Sequence, residues 1–188
     1  IMALSELHGF KVIEDCAQAH GAKYKGRSVG TIGHIGAWSF CQDKIMTTGG
    51  EGGMVTTNDK ELWSFMWSYK DHGKSFDAIY NREHPPGFRW LHEIVGTNWR
   101  MTEMQAIIGR IQIQRMGEWT KKRQENAAAI EAAIADFPVV RSVDIPEYIE
   151  HAEYKHYIFI RPECLKPGWT RDKIIDAIVE RGVPVYQG

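Results

Sequence analysis

Cysteine is scarce in this chain, and neither sign of charge dominates. The three cysteines, Cys16, Cys41 and Cys164, are odd in number and widely spaced among 188 residues, which argues against a disulfide framework. The chain has 23 Lys and Arg against 24 Asp and Glu, and no basic block, which argues against a nucleic-acid partner. We therefore expect a protein of a reducing compartment, with the cytoplasm as the default location.

Long apolar runs and common ligand motifs are absent as well. No run is long enough to span a bilayer, so no membrane partner is expected. No Walker A sequence accompanies the glycines at 49–53, which makes them poor evidence for a nucleotide phosphate loop. The histidines show no metal-ligand spacing, so we predict no metal site. The chain starts without Met or a signal pattern, inside a segment of helical character, so we expect a fragment.

The first part of the chain shows the alternation of helix and strand that is typical of an α/β fold. Met2–His8 is predicted to be a helix closed by Gly9, and strands are predicted at 11–15, 35–40 and 53–57. Asn58 is predicted to cap the next helix, with Glu61 completing a capping box. The apolar face of that helix is predicted to hold Leu62, Phe65, Met66 and Tyr69.

The middle of the chain contains an irregular stretch and a long helix. Residues 75–96 show no period, and a loop of this length is usually functional or an interface. We interpret the cluster of Trp63, Trp67 and Tyr69 as core or interface. Thr102 and Gln105 predict a capping box opening a helix with an apolar stripe. The stripe is predicted to contain Met104, Ile107, Ile108, Ile111 and Met116.

The last part of the chain shows a pattern of strands and helices that is typical of a smaller α+β domain. Strands are predicted at 139–143, 156–160 and 183–186, and Thr170 is predicted to cap a helix that Gly182 ends. The helical, charged stretch from Glu118 to Asp136 is interpreted as a bridge between domains. We therefore expect one domain at 1–116 and the bridging helix with a second, partial domain at 117–188.

The most suggestive stretch for chemistry surrounds Lys44. This lysine lies in a short polar link between two predicted strands and directly before a glycine-rich segment, Gly49–Gly53, in which glycines permit tight turns and close approach to a ligand. A lysine held beside a small-molecule site can form a Schiff base with a carbonyl compound. The alternative is a loop lysine with a solvated charge.

A second candidate group follows the first predicted strand. Asp15 ends that strand, and ligands of open α/β sheets gather at the carboxyl ends of strands. Gln18 and His20 come directly afterwards. Either one alone is better explained by bonding to the loop backbone, but their position directly after Asp15 shifts the balance towards a role in the site.

Four blocks of sequence resemble the DegT-type (DegT/DnrJ/StrS) sugar aminotransferases, fold-type I enzymes of the aspartate-aminotransferase superfamily that use pyridoxal phosphate. The blocks are VIEDCAQAHGA at 12–22, SFCQDK at 39–44, GEGG at 50–53 and GTNWRMTEMQA at 96–106. They occur in the family's order and extend through essentially the whole chain. The resemblance implies the later half of the large domain, a mixed and mostly parallel sheet flanked by helices, followed by a partial α+β small domain.

The resemblance also implies roles for individual residues. Lys44 matches the lysine that holds the cofactor as a Schiff base, and Asp15 matches the acid facing the pyridine nitrogen. Gln18 matches a glutamine packed at the cofactor ring, and Ser39 a hydroxyl that binds the phosphate. Asn98 matches an asparagine that reaches the phosphate from the partner subunit, which implies a homodimer with a shared active site. His20 and Glu51 also match motif positions.

The reaction implied by the resemblance is transfer of an amino group, with glutamate as the expected donor. The acceptor would be a keto-sugar, either a nucleotide-linked keto-deoxysugar or an eight-carbon keto-sugar acid, in amino-sugar, lipopolysaccharide or related glycan biosynthesis. Three alternatives stay open: a dehydratase branch with histidine at the position of Lys44, a cofactor-binding sensor without catalysis, and an unrelated α/β binding module. Because the family's chains are about twice this length, we expect the 188 residues alone to be inactive.

Overall fold

The fold, described by a computed structural model over residues 1–188, consists of short strands in three small sheets and five helices. A single 3₁₀ turn covers Pro162–Cys164. The other elements in chain order are α1 (Met2–His8), β1 (Ile13–Asp15), β2 (Lys23–Tyr24), β3 (Arg27–Ser28), β4 (Ile35–Ser39), β5 (Gly53–Thr56), α2 (Lys60–Tyr69), α3 (Phe76–Tyr80), α4 (Glu103–Ile134), β6 (Val140–Ser142), β7 (Ile149–Glu150), β8 (Ile158–Ile160) and α5 (Arg171–Val179).

The sheet that positions the candidate site has the strand order β1-β4-β5. β1 and β4 are parallel, with Asp15 opposite Ala37, whereas β4 and β5 are antiparallel, with Ser39 opposite Gly53. The sheet is therefore mixed. Because β1 and β4 are parallel, their carboxyl ends meet at one edge, and Asp15 and Ser39 both lie there.

The predicted end of α1 is correct, whereas the predicted cap of α2 is wrong. Gly9 ends α1 with a φ of 73°, as predicted. Asn58 does not cap α2; the cap is Asp59, whose Oδ1 accepts hydrogen bonds from the backbone N–H groups of Glu61 (2.9 Å) and Leu62 (3.1 Å). Because α2 begins at Lys60, only the side chain directly before it reaches the two unpaired N–H groups of its first turn.

The predicted apolar face of α2 is only partly covered. Phe65 is 58% exposed, whereas Trp63 and Trp67 pack against Phe76 with ring centroids 5.1 and 5.2 Å apart. Phe76 belongs to α3, a helix inside the stretch for which the sequence predicted no regular structure. Ser75 caps this helix by accepting a hydrogen bond from the N–H of Ala78 (3.2 Å).

α4 is one continuous helix of 32 residues. It opens with the predicted capping box of Thr102 and Gln105 and passes through Gly117 without interruption. Its buried positions are Gly109 and Ala127, whereas the predicted apolar stripe is largely uncovered: Met104 is 76% exposed and Ile107 56%. None of the helices combines the length and the hydropathy needed to cross a bilayer.

The last part of the chain contacts the first part directly. β6 and β8 form an antiparallel pair, but β7 pairs instead with β2, where Lys23 lies opposite Glu150. Thr170 caps α5 as predicted, by accepting a hydrogen bond from the N–H of Lys173 (3.2 Å). The strand predicted at 183–186 is wrong, because this segment pairs with no other strand. The division predicted at 116/117 falls inside α4 and stays a prediction.

Candidate active site

Two of the predicted site residues, Asp15 and Ser39, lie at the shared carboxyl edge of β1 and β4. The Oδ1 atom of Asp15 accepts a hydrogen bond from the N–H of Ala17 (3.0 Å), which fixes the carboxylate at the end of its strand. The Ser39 hydroxyl oxygen accepts a long hydrogen bond from the N–H of Cys41 (3.4 Å). The second carboxylate oxygen of Asp15 and the hydroxyl proton of Ser39 stay available to a ligand.

Lys44 lies in a loop that folds back onto the end of β4. The carbonyl of Phe40 accepts hydrogen bonds from the Thr47 hydroxyl (3.0 Å) and from the N–H of Thr48 (3.2 Å), and the N–H of Lys44 donates to the carbonyl of Cys41 (3.0 Å). The Lys44 side chain is half-buried, and its Nζ forms no hydrogen bond or ion pair. The amine therefore has no hydrogen-bond or ion-pair partner within the chain.

The glycine-rich turn after Lys44 is fixed to α4. Gly49 and Gly50 have φ values of 82° and 146°, which side chains with a Cβ rarely adopt. The carbonyl of Glu51 accepts a hydrogen bond from Gln105 Nε2 (2.7 Å), and Gln112 Oε1 accepts one from the N–H of Thr47 (2.8 Å). Glu51 thus contributes a backbone contact that orients the loop, while its side chain is exposed.

His20 is buried directly behind this edge. Its ring packs against Trp38 and Phe40, with centroids 5.3 and 5.9 Å away, and only 4% of the residue is exposed. Neither ring nitrogen has a hydrogen-bond partner in the chain. Burial lowers the pKa of His20, the positive charge of Lys44 lowers it further, and the nearby backbone of Ser39 opposes the shift without completing a hydrogen bond.

The structure does not bring the other two predicted residues into this group. Gln18 has an exposed side chain in the turn after β1 and makes no side-chain hydrogen bond. Asn98 is exposed on the segment that returns to the end of α2, and its backbone forms an isolated antiparallel β-bridge with Asp71. The Oδ1 atom of Asn98 accepts a hydrogen bond from Arg100 Nε (3.2 Å). No contact joins Asn98 to Lys44 within one chain.

Two functional candidates were missed in the sequence. Asp43 precedes Lys44, and its Oδ2 accepts a hydrogen bond from the hydroxyl of Tyr154 (2.9 Å). The ring centroid of Tyr154 lies 5.2 Å from Lys44 Nζ. An acid next to the lysine was a visible signal for Asp43, whereas nothing in the sequence connects Tyr154 with a loop 110 residues earlier.

A third residue that the sequence did not reveal supports the sheet itself. Glu14 accepts hydrogen bonds from three backbone N–H groups, those of Gly30 (2.8 Å), Ile32 (2.7 Å) and Gly33 (2.6 Å). These bonds satisfy a turn that would otherwise leave several donors unpaired. Glu14 therefore holds the loop before β4 in register with β1.

The free groups at this edge fit pyridoxal phosphate in chemical type. The cofactor needs an amine for its aldehyde, an acid for its pyridinium nitrogen and donors for its phosphate. Lys44, Asp15 and Ser39 offer an amine, a carboxylate oxygen and a hydroxyl that the chain leaves without strong partners. The unpartnered ring nitrogens of His20 add buried polar atoms behind the same edge.

Comparison with known proteins supports the same conclusion. The family model described as the DegT/DnrJ/EryC1/StrS aminotransferase family matches residues 1–186. GDP-perosamine synthase of Escherichia coli O157:H7 is 40% identical over 127 residues, covering 68% of this chain and 32% of that protein. The pleiotropic regulatory protein of Geobacillus stearothermophilus is 35% identical over 156 residues, covering 80% of this chain and 39% of that protein.

One solved structure is similar over nearly the whole chain. The aminotransferase from Psychrobacter cryohalolentis shares 59% identity and a TM-score of 0.93, over 97% of this chain and 48% of that one. The α/β, fold-type I class predicted from the sequence is confirmed. The chain spans from 32% to 48% of the length of these three relatives. By its match over residues 1–186, the chain belongs to the DegT/DnrJ/EryC1/StrS aminotransferase family.

Proposed function

We propose that the protein transfers an amino group from an amino acid to a keto-sugar, with pyridoxal phosphate as cofactor and Lys44 as its anchor. The observation that carries this proposal is the free amine of Lys44 beside the carboxyl edge that holds Asp15 and Ser39. A solvated loop lysine would not need a loop fixed by two hydrogen bonds to the carbonyl of Phe40, directly after β4, and two to side chains of α4.

Each of the three residues has a distinct task in this proposal. Pyridoxal phosphate, when bound, supplies an electron sink for the substrate carbon. Asp15 would pair its carboxylate with the ring nitrogen and favour the protonated form of that nitrogen. Ser39 would donate a hydrogen bond to the phosphate. Lys44 would hold the cofactor through its Nζ and would carry a proton to and from the substrate carbon as base and acid.

The remaining predicted residues would contribute at the edge of the proposed cofactor site. Gln18 would pack at the cofactor ring, His20 lies behind the edge, and the backbone of Glu51 orients the loop. Because Asn98 makes no contact with Lys44 within one chain, its exposed side chain is compatible with the predicted role in the site of a partner subunit in a homodimer.

The chemical class of the amino-group acceptor is inferred from the names of similar proteins. A relative named GDP-perosamine synthase supports a nucleotide-linked sugar. We propose glutamate as donor, a nucleotide-linked keto-deoxysugar as acceptor, and amino-sugar synthesis for lipopolysaccharide or a related glycan in the cytoplasm. An eight-carbon keto-sugar acid is the alternative acceptor.

Single-turnover transfer tests this proposal in protein expressed from its complete gene and loaded with pyridoxal phosphate. Glutamate without any acceptor is expected to yield about one 2-oxoglutarate per bound cofactor, because the first half of the reaction needs no sugar. Lys44→Ala is expected to slow this release at least about 100-fold, the usual contribution of a positioned acid or base. Lys25→Ala, an exposed loop lysine next to Tyr24, serves as the control.

The outcomes separate the candidate functions. Product mass with a nucleotide keto-sugar distinguishes amine transfer from dehydration. The relative named a pleiotropic regulatory protein favours, as a second candidate, a cofactor-binding regulator. Tight cofactor binding without 2-oxo acid from any amino acid would overturn the transaminase and support the regulator.

A further inference from the structure

Tyr154 reaches the loop of Lys44 from the far end of the chain. Its hydroxyl donates a hydrogen bond to Asp43 Oδ2 (2.9 Å), and its ring centroid lies 5.2 Å from Lys44 Nζ. A cation over an aromatic ring is stabilised by the ring's electron-rich face. One side chain thus contacts both the proposed anchor and the acid next to it.

The charge pattern around Asp43 agrees with this contact. Hydrogen bonds from the Cys41 thiol (3.2 Å) and then from the Tyr154 hydroxyl lower the pKa of Asp43, and the charge of Lys44 contributes in the same direction. Burial, and then the bond to Asp43, raise the pKa of Tyr154. At neutral pH the Tyr154 hydroxyl is therefore a stable donor and Asp43 a stable acceptor.

The segment that carries Tyr154 is itself anchored to α4. The carbonyl of Glu153 accepts a hydrogen bond from Arg123 Nη1 (3.3 Å), and the carbonyl of His151 accepts one from Gln124 Nε2 (3.2 Å). His156 contacts the carboxylates of Glu131 (3.0 Å) and Glu153 (3.3 Å) through its two ring nitrogens.

The backbone of the same segment turns sharply just before Tyr154. Glu153 has a φ of 49°, an uncommon conformation for a residue with a side chain, and the contacts to α4 hold it there. The backbone next to Tyr154 is thus fixed by contacts that do not involve the Tyr154 side chain.

We propose that Tyr154 is a positioning residue for Lys44: its ring faces the amine, and its hydroxyl holds Asp43 in place. The segment between β7 and β8 thereby sets where the lysine points. An effect of Tyr154 on catalysis rests on the proposed function, whereas its effect on the position of the Lys44 amine does not.

The test is competitive acetylation of lysines in the protein expressed from its complete gene and freed of cofactor, with peptide mass mapping. At a pH where lysines are mostly protonated, Tyr154→Leu is expected to raise the labelling rate of Lys44 about two- to fivefold, since the ring no longer covers one side of the amine. Tyr154→Phe keeps the ring and is expected to change the rate less.

Tyr148→Leu is the matched control, because the Tyr148 ring lies over a different lysine, Lys25, at 5.7 Å. It should leave the labelling of Lys44 unchanged. An unchanged Lys44 rate in Tyr154→Leu, or an equal rise in Tyr148→Leu, would overturn the proposal.

A second readout uses the protein loaded with pyridoxal phosphate. The pH midpoint of its visible absorption change is expected to shift in Tyr154→Leu and to stay in place in Tyr148→Leu. A protein that fails to take up cofactor would contradict the proposed function, yet the acetylation result would still decide the role of Tyr154. Loss of activity with neither acetylation rate nor absorption midpoint altered would show a merely structural role and overturn the proposal.

Discussion

Lys44 and Lys23 differ in what surrounds their amines. Lys23 pairs with Glu150 at 2.9 Å, as surface lysines commonly do. Lys44 has an aromatic ring at 5.2 Å and no carboxylate within ion-pair distance, although Asp43 precedes it. Because Asp43 is engaged by Tyr154 and Cys41, the amine stays available for a carbonyl ligand.

His20 gives a prediction for the pH dependence of stability. Its folded-state pKa is lowered, mainly by burial, so the unfolded chain binds a proton more readily. The contribution to stability is complete above the unfolded pKa of about 6.5 and is lost as the pH falls below it. We expect Tm to fall between about pH 7.5 and about pH 5.5, and to fall less in His20→Phe.

The Phe variant keeps an aromatic ring between Trp38 and Phe40 but cannot take up a proton. His8→Gln, at an exposed position at the end of α1, is the control and should retain the wild-type pH dependence. Thermal melts followed by circular dichroism provide the measurement. An identical pH dependence in His20→Phe and wild type would show that His20 is not the group responsible.

At the scale of elements, the position of β4 depends on a close approach at Gly30. This residue has a φ of 76°, and an added Cβ would lie 2.5 Å from Trp38 Cζ2. Gly30→Ala is therefore expected to combine a backbone cost of about 1 to 2 kcal/mol with an overpacking cost of about 1 to 3 kcal/mol. Urea unfolding of the protein measures the sum.

Gly26 provides the matched control for the backbone cost alone. It lies in the turn between β2 and β3 with a φ of 74°, and an added Cβ there would meet nothing within 4 Å. Gly26→Ala is expected to cost only about 1 to 2 kcal/mol. If the two variants lost equal stability, the contact between Gly30 and Trp38 would not carry the strain assigned to it.

Patterns of neighbouring residues predicted most of the helices and strands. Contacts between residues far apart in the chain could not be predicted from the sequence. The Thr102 cap and the place of Asp15 at the carboxyl end of β1 follow from neighbouring residues and strand direction. Asn58 and Asp59 are both good caps, and only the first residue of α2 decides between them. The contact of Tyr154 with Asp43 and Lys44 depends on how α4 returns the chain, which no local pattern encodes.

At the scale of the whole molecule, one copy of the chain leaves much of its apolar surface uncovered. Only 16 of 188 residues are buried, and the exposed apolar residues include the stripe on α4 that the sequence predicted to be covered. Periodicity predicted an apolar stripe on α4, but it could not reveal that most of this stripe stays uncovered within one chain. The predicted homodimer remains a prediction.

The candidate site lies where the first and last parts of the chain meet, which is a property of the whole molecule. β2 pairs with β7, and Tyr154 follows β7 by four residues, so the first and last parts of the chain meet beside Lys44. We propose that this lysine anchors pyridoxal phosphate. The proposal applies to the whole protein, because the 188 residues cover 48% of the length of the similar aminotransferase.

The most direct test is borohydride reduction of the protein expressed from its complete gene and loaded with pyridoxal phosphate, followed by mass mapping of the modified peptide. Reduction converts a Schiff base into a stable amine, so the label stays on the lysine that formed it. We predict one phosphopyridoxyl group, on Lys44, and its loss in Lys44→Ala but not in Lys25→Ala. A label on another lysine, or no label on a protein saturated with cofactor, would contradict the role of Lys44.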